Sequence, residues 1–132
     1  MIVVGGEALY DLVAREDGTI DAHPGGGPFN TARTTGRLEQ PVAFLGRISN
    51  DRFGEEHARM LADDGVDLSA ATRTDQPTTL ALAELDPAGQ ASYRFYASDT
   101  AAIGLTTEAA LAGCRQPSTC CTSARSASCS IR

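Results

Sequence analysis

A run of three glycines, Gly25, Gly26 and Gly27, has the composition of a ligand-binding loop. Glycine has no Cβ, so its backbone can adopt positive φ and a ligand can approach its amides closely. Pro28 follows the run and suits the first turn of a helix, where its missing N–H is not needed. Amides at a helix N-terminus are unpaired and partially positive, so this junction can hold hydroxyl groups or an anion. Asn30 can both donate and accept hydrogen bonds there.

The glycine run by itself does not identify a ligand. It lacks the G-x-G-x-x-G spacing of a dinucleotide-binding loop and the G-x-x-x-x-G-K-S/T spacing of a phosphate-binding loop. A glycine-rich turn before a helix is also often an ordinary loop. The chemistry of the run therefore depends on the residues that other elements bring to it.

Asp11 is an acid that follows the first predicted strand. The β-branched run at 2–4, closed by Gly5 and Gly6, is typical of a buried strand in a parallel sheet. Ligands of α/β sheets gather at the carboxyl ends of strands, so Asp11 is placed to accept hydroxyl groups of a substrate. The alternative is a solvated loop carboxylate without a binding role.

Alternating strands and helices are expected to position these groups. A helix is predicted over 29–38, and Pro41 separates it from a short apolar strand at 42–45. This order of strand, helix and strand predicts a parallel pair joined by a right-handed crossover.

A second helix is predicted from about Phe53, with Asp51 or a neighbour as its N-cap and Gly65 as its C-terminal cap. Apolar residues recur at helical spacing along it, and His57 lies on the same stripe. His57 is therefore predicted to pack in the core, and a role as ligand or base is the alternative.

Two β-hairpins are predicted near 12–22 and 78–97. The first has an Asp-Gly turn, and the second has the turn sequence DPAGQ at 86–90. Neither hairpin fits a parallel core sheet. We expect the two to form a small separate sheet that covers the glycine run as a lid, because lids exclude water from a reacting centre.

Length and charge limit the classes of partner. The chain has 132 residues, of which 42% are hydrophobic, and this is enough for one domain with a core. A net charge of -6 argues against a nucleic-acid surface. No apolar run is long enough to cross a bilayer and the N-terminus lacks a basic leader, so we expect a cytoplasmic protein without a membrane partner.

Residues 1–113 resemble the N-terminal part of a ribokinase-like (PfkB) sugar kinase, most closely the fructokinase branch. The matching segments are GEALYDLV, HPGGGPFNTA, FLGRISNDRFGEE, DDGVDLS, TTLALAELD and SYRFYASDTAA, in this order. The resemblance implies an α/β fold, a parallel αβα sandwich that is incomplete here, with a small β lid. It also implies phosphoryl transfer from ATP, with Mg²⁺, to a sugar hydroxyl, and it leaves open a homodimer through the lid.

By this resemblance, eight residues would bind the sugar. They are Asp11, Gly25, Gly26, Gly27, Asn30, Arg94, Phe95 and Tyr96. The last three would close over the sugar from the lid. For Phe95 and Tyr96, packing against a neighbouring strand is an equally good interpretation.

Two positions depart from the pattern of the family. Glu39, just past the first predicted helix, stands where the family has Gly or Ser, and Ser49 stands where it has Gly. A non-glycine residue in a left-handed helix cap costs on the order of 1 kcal/mol. The helix end is therefore expected to be weakened, while the sugar site is not affected.

The segment 114–132 does not continue the family pattern. The catalytic base of the family is an aspartate in a C-terminal G-A-G-D motif, which this sequence lacks, so no catalytic residue is assigned. The segment holds all four cysteines, but it has no C-x-x-C pair and no nearby histidine, which argues against a zinc site. We interpret it as an irregular, out-of-frame tail, because another reading frame of GC-rich codons would encode a plausible strand.

Together these observations predict the sugar-binding N-terminal portion of an ATP-dependent carbohydrate kinase of the fructokinase type. The chain alone is expected to be inactive or weakly active, because the base and the adenine pocket of the family are C-terminal. The alternative is a non-catalytic module that binds sugar or dimerises through the lid.

Overall fold

Three sheets and three helices make up the part of the chain that the computed structural model describes, which is residues 1–15, 17–85, 91–113 and 120–123. The elements are β1 (Ile2–Gly5), β2 (Leu9–Ala14), β3 (Ile20–Gly25), α1 (Gly27–Arg37), β4 (Val42–Leu45), β5 (Arg47–Ser49), α2 (Arg52–Asp63), β6 (Thr72–Thr74), β7 (Thr79–Leu85), β8 (Ala91–Tyr96), α3 (Thr107–Gly113) and β9 (Cys120–Ser123). None of these helices combines the length and the apolar character that a membrane span requires.

The main sheet has β1 at its centre, between β4 and β9. Both pairings are parallel, and Ile2 lies opposite Val42 on one side and Cys120 on the other. β-Branched residues favour a strand that is buried on both faces. Val3 and Val4, which point to opposite faces, are each 1% exposed. The predicted parallel pairing of β1 with β4 is confirmed.

The strand β9 falls within 114–132, for which an irregular tail is predicted. The structure differs from this prediction at residues 120–123, which pair with β1. A strand edge offers unpaired N–H and C=O groups to any extended segment, whatever the apolar pattern of that segment. Residues 114–119 and 124–132 lie outside the described part of the chain, and the out-of-frame origin of the segment stays a prediction.

Helices cover both faces of the main sheet, as in an αβα sandwich. On one face α1 and α2 enclose a core that includes Val4, Phe29, Phe44, Ile48 and Leu61. On the other face the residues of the core are Val3, Ala43 and Leu45, packed against Ala70, Leu105 and Ala110. Since Ala110 belongs to α3, this helix covers the second face.

The second helix begins and ends as predicted. The Asp51 carboxylate accepts a hydrogen bond from the Gly54 amide at 2.8 Å, which makes Asp51 the N-cap. Gly65 follows the helix with φ +79°. His57 is 1% exposed, and its Nε2 donates to the Leu9 carbonyl oxygen at 3.0 Å. Its predicted packing in the core is confirmed.

The two departures from the family pattern differ in their consequences. Glu39 has φ +56°, the left-handed conformation that favours glycine, so the expected strain at the end of α1 is present. Ser49 does not have positive φ; it is buried in β5, and its hydroxyl accepts a hydrogen bond from the Asp51 amide at 3.0 Å. A serine therefore adds a contact beside the N-cap of α2.

A second sheet of four strands has the order β3-β2-β7-β8, and we call it the hairpin sheet. The β2–β3 and β7–β8 pairs are antiparallel hairpins, and the parallel pairing of β2 with β7 joins them. The first hairpin extends from Leu9 to Gly25, beyond the predicted 12–22, so it reaches the glycine run itself. The turn at 86–90 lies outside the described residues.

Candidate functional site

The glycine run is a junction of a strand with a helix and not one continuous loop. Gly25 is the last residue of β3, Gly26 is the N-cap of α1, and Gly27 and Pro28 begin the helix. Gly26 has φ +108°, and a Cβ built on it would lie 2.7 Å from the Glu7 carbonyl oxygen. Both its conformation and this close approach therefore require glycine at position 26.

Gly6 also brings α1 to the end of β1. Its φ is +146°, and a Cβ built on it would overlap the ring of Pro28. The missing side chain thus lets the first turn of α1 lie against the carboxyl end of β1, where ligands of α/β sheets bind. The sequence predicts only that Gly6 closes the first strand. The adjacent pair Gly5-Gly6 is the feature of the sequence that could have indicated the close approach of α1.

Asp11 lies on a strand and not on the loop after β1 where it was expected. It belongs to β2 of the hairpin sheet, because β2 starts at Leu9, only four residues after β1 ends. A Cβ built on Gly25 would overlap the Asp11 Oδ2 atom. The Asp11 carboxylate therefore lies against the backbone of Gly25, and the structure brings together the acid and the glycine run.

The environment of Asp11 leaves its carboxylate available to a ligand. The side chain is half-buried, and it makes no hydrogen bond within the described part of the chain. Burial raises the pKa of the Asp11 carboxyl above its ordinary value, while the charge of His23 on the neighbouring strand opposes this rise. A carboxylate in this position can accept hydrogen bonds from hydroxyl groups.

Asn30 lies on the first turn of α1. Its amide nitrogen donates to the Gly26 carbonyl oxygen at 3.0 Å, so its position is tied to the N-cap. The side chain is exposed and makes no hydrogen bond to a described residue. Asn30 is therefore free to present its amide group to a ligand at the glycine junction.

The aromatic strand β8 is divided between the two faces of the hairpin sheet. One row across the sheet contains His23, Asp11, Ala81 and Phe95, so these side chains lie on the same face. Arg94 and Tyr96 neighbour Phe95 in sequence. Because side chains alternate along a strand, they lie on the opposite face. The structure thus does not bring all three residues to one face of the sheet, and their role in sugar binding stays a prediction.

A small side chain, Ala81, separates Asp11 from Phe95 in this row. Ala81 is 1% exposed, whereas Phe95 is 62% exposed. Asp11 and Phe95 are two strands apart, a separation of about 10 Å across the sheet. Phe95 therefore lies at the exposed edge of the sheet, on the same face as the carboxylate.

Tyr10 is a buried residue to which the sequence assigned no role. Its ring lies 4.3 Å from that of Phe53 and 5.0 Å from that of His57, measured between centroids. Burial, followed by the nearby carboxylate of Glu56, raises the pKa of the Tyr10 hydroxyl above its ordinary value. These contacts fix the hairpin sheet against α2, and so they hold Asp11 in position from the other face of β2.

A metal centre is not assigned to this site. Within the described ranges, no group of three or more His, Cys, Asp or Glu side chains is arranged to hold a metal ion. The arrangement consists of one carboxylate, the first amides of a helix and an exposed amide side chain. Such a set of donors and acceptors suits a polyhydroxylated molecule.

Comparison with known proteins identifies the family of this chain. The family model described as pfkB family carbohydrate kinase matches residues 1–129. A fructokinase of Rhizobium leguminosarum bv. trifolii is 39% identical over 111 residues, which cover 81% of this chain and 34% of that enzyme.

Solved structures share the same fold. A fructokinase of Xylella fastidiosa with bound ATP has a TM-score of 0.73 and 31% identity, covering 82% of this chain and 36% of that one. A fructokinase of Vibrio cholerae O395 with bound fructose, ADP and calcium ion has a TM-score of 0.69 and 29% identity. The match covers 82% of this chain and 35% of that one. The chain thus spans about a third of the length of the relatives that it matches. Its architecture is the ribokinase-like α/β fold in part, and the chain belongs to the pfkB family of carbohydrate kinases.

Proposed function

We propose that this chain binds fructose or a related sugar, as the N-terminal portion of an ATP-dependent carbohydrate kinase. One observation carries the proposal. The Asp11 carboxylate lies against Gly25, at the start of α1, and has no hydrogen-bond partner in the described part of the chain. A half-buried carboxylate requires hydrogen-bond donors, and one carboxylate can accept from two hydroxyls of the same sugar.

The neighbouring groups complete a set of contacts for a sugar. The amides of the first turn of α1, after Gly26 and Gly27, are oriented to donate to hydroxyl oxygens. Asn30 can both donate and accept. Phe95 offers an apolar surface on the Asp11 side of the hairpin sheet, so we keep it as a sugar contact. Arg94 and Tyr96 do not belong to this set, because they lie on the other face.

The relatives support a sugar as the ligand. Fructokinases are among the curated relatives that match this chain, and the Vibrio cholerae enzyme contains fructose in its structure.

ATP and Mg²⁺ are the cofactors that the family implies, but the described residues do not fit them. The open amides of α1 lie beside the negative charge of Asp11, which repels phosphate. In the described ranges no cluster of carboxylates could hold a divalent cation. The sequence also lacks the G-A-G-D motif. We therefore assign no nucleotide or metal site and no catalytic residue, and propose that the chain alone transfers little or no phosphate.

Calorimetric titration with fructose tests the binding site. The purified 132-residue chain should release heat on binding fructose in the absence of nucleotide, and Asp11→Asn should weaken binding by about tenfold or more. Asp63→Asn is the matched control, because Asp63 is exposed on α2 and pairs with Arg59. A wild-type chain that binds no sugar would refute the proposed site.

A kinase assay tests the second part of the proposal. The purified chain, incubated with ATP, Mg²⁺ and fructose, should consume ATP no faster than a sample without protein. Turnover at the rate of an ordinary kinase, about 1 to 100 per second, would contradict the proposal.

A second candidate function, pairing of two copies through the hairpin sheet, is favoured by one observation. The strand β8 is at an edge of the sheet and carries three largely exposed aromatic residues: Tyr93, Phe95 and Tyr96. Exposed aromatic residues on an edge strand invite pairing. Sedimentation velocity should then show a dimer that Tyr96→Ser dissociates, whereas a monomer at all concentrations would exclude this candidate.

We also propose a cytoplasmic location, with neither nucleic acid nor membrane as a partner. The net charge of -6 supports the exclusion of nucleic acid, since a phosphate backbone requires clustered positive charge. Retention on a heparin column at moderate salt would contradict it.

A further inference from the structure

Both ends of the hairpin β7–β8 are tied to the rest of the chain by threonine residues. Just before β7, Thr78 donates to the Asp51 carboxylate through its amide and through its hydroxyl, both at 2.7 Å. Four residues after β8 ends, the hydroxyl of Thr100 lies 2.6 Å from that of Thr79, the first residue of β7. Thr79 and Thr100 are 3% and 5% exposed, so this second contact is buried. The chain therefore enters and leaves the hairpin at fixed points.

The direction of each hydrogen bond in the second contact follows from the number of hydrogens. The Thr100 hydroxyl donates to the Ala97 carbonyl oxygen at 2.8 Å. Because a hydroxyl has one hydrogen, the Thr79 hydroxyl is the donor to Thr100. The amide of Ala102 donates in turn to the Thr79 hydroxyl oxygen at 3.4 Å. The two hydroxyls thus link β7 to the segment 97–102, and removal of either leaves a buried polar group without its partner.

This hydroxyl pair lies on the face of the hairpin sheet that carries Asp11. The register places Thr79 beside Leu9, and Leu9 beside Gly25. Leu9 precedes Asp11 by two residues on β2, so the two rows of side chains are neighbours on the same face. The segment 97–102 therefore folds back from the end of β8 onto the part of this face that is next to the glycine run.

The end of β8 depends on this contact because β8 is an edge strand. In the sheet as described it pairs with β7 alone, and the side chains of Phe95 and Tyr96 are largely exposed. Exposed side chains contribute little packing, and a strand end with few buried contacts opens locally at low cost. The position of Phe95 thus depends on the backbone pairing with β7 and on the anchor that follows at Thr100.

We propose that Thr100 is a positioning residue for the sugar site. Through Thr79 it fixes the end of β8, and so it holds Phe95 in position on the face that carries Asp11. The inference rests on the proposed function, in which Phe95 is a sugar contact. Because Thr100 acts through Phe95, loss of its hydroxyl should weaken sugar binding only as far as Phe95 contributes to that binding.

Calorimetric titration with fructose tests the inference in a set of threonine variants. Thr100→Val replaces the hydroxyl by a methyl group, and affinity should fall by about threefold, the loss expected for Phe95→Ala. Thr79→Val removes the other hydroxyl and should give a similar loss, so the test does not depend on the folding of one variant. Thr100→Ser keeps the hydroxyl and should bind within about twofold of wild type. Thr72→Val is the matched control, because Thr72 is exposed on β6, in a different sheet.

A double-mutant cycle separates positioning of Phe95 from a general loss of stability. If Thr100 acts through Phe95, Thr100→Val should change affinity by less than about 1.5-fold in a chain that already carries Phe95→Ala. An equal loss of affinity in both backgrounds, or wild-type affinity of Thr100→Val itself, would overturn the inference and leave the proposed function intact.

Amide hydrogen exchange without sugar gives a second readout. In Thr100→Val the amides of β8 should exchange about threefold faster than in wild type or more, while those of β4 in the main sheet should not change. Unchanged exchange in β8 would overturn the inference whether or not fructose binds. Absence of fructose binding by the wild-type chain would overturn the proposed function, and the inference with it.

Discussion

The Asp11 carboxylate occupies the space that a side chain on Gly25 would fill. The two residues come from the two strands of one hairpin, and the same hairpin leads directly into the N-cap of α1. One hairpin thus delivers a carboxylate and the open amides of a helix to one place. This arrangement explains why the last residue of β3 is a glycine.

Gly25→Ala should displace the Asp11 side chain and abolish most of the sugar affinity. Losing a hydrogen bond from a charged group costs about 1.5 to 3 kcal/mol, which is a loss of affinity of about tenfold or more. Gly5→Ala is the control, because a Cβ there would meet Leu45 atoms at an ordinary 3.7 Å. Calorimetry measures affinity, and circular dichroism checks that both variants fold. Equal affinity of the two variants would contradict the prediction.

The two faces of β8 should respond differently to substitution. Phe95→Ala is expected to weaken fructose binding by about threefold or more, because Phe95 shares a face with Asp11. Tyr96→Ala should leave binding unchanged, since alternation places it on the opposite face. Both residues are at least half exposed, so neither substitution should unfold the chain. A larger loss for Tyr96→Ala than for Phe95→Ala would show that the ligand approaches the other face.

Glu39→Gly should stabilise the chain by roughly 0.5 to 1 kcal/mol, because a left-handed backbone conformation is strained for a residue with a Cβ. Glu39 has φ +56°, and glycine adopts this conformation without the clash. Glu39→Ala is the matched control, because alanine removes the carboxylate but keeps the Cβ. Urea denaturation should show a higher midpoint for the glycine variant only. A similar gain for alanine would mean that charge and not backbone conformation is responsible.

Asp64 should account for part of the loss of stability in acid. Arg37 and Arg33 donate to its carboxylate at 2.8 and 2.6 Å and join α1 to the end of α2. The hydrogen bond from Arg37, and then that from Arg33, lowers the pKa of the Asp64 carboxyl. Because the folded pKa is depressed, this stabilisation is complete above the ordinary carboxyl pKa of about 3.9 and is lost as the pH falls below it.

Asp64→Asn should therefore lower the free energy of unfolding at pH 7 by about 1 to 2 kcal/mol and flatten its decline below about pH 4. Asp63→Asn removes only an exposed pair with Arg59, so it should change stability by less than about 0.5 kcal/mol. Urea titrations at pH 3 and pH 7 measure both effects. If the slope of stability against pH is the same in the D64N variant as in wild type, the arginine contacts are not formed in solution.

Local features of the chain were predictable from the sequence because their causes lie within a few residues. The N-cap at Asp51 depends on the helix that follows it. The strain at Glu39 was expected from the resemblance to the family, in which this position is Gly or Ser. The order of strand, helix and strand, and the two hairpins, follow from apolar spacing and turn residues. The resemblance to the family likewise depends only on short sequence segments and on their order along the chain.

The sequence by itself determined which residue types are available to a ligand: an acid at position 11, the glycine junction and Asn30. Only the tertiary structure decided that Asp11 lies against Gly25, that Phe95 shares its face while Tyr96 does not, and that residues 120–123 pair with β1. The physical reason is register. A shift of one residue in strand pairing moves every side chain to the opposite face, and pairing between distant segments is set by the packing of the whole chain.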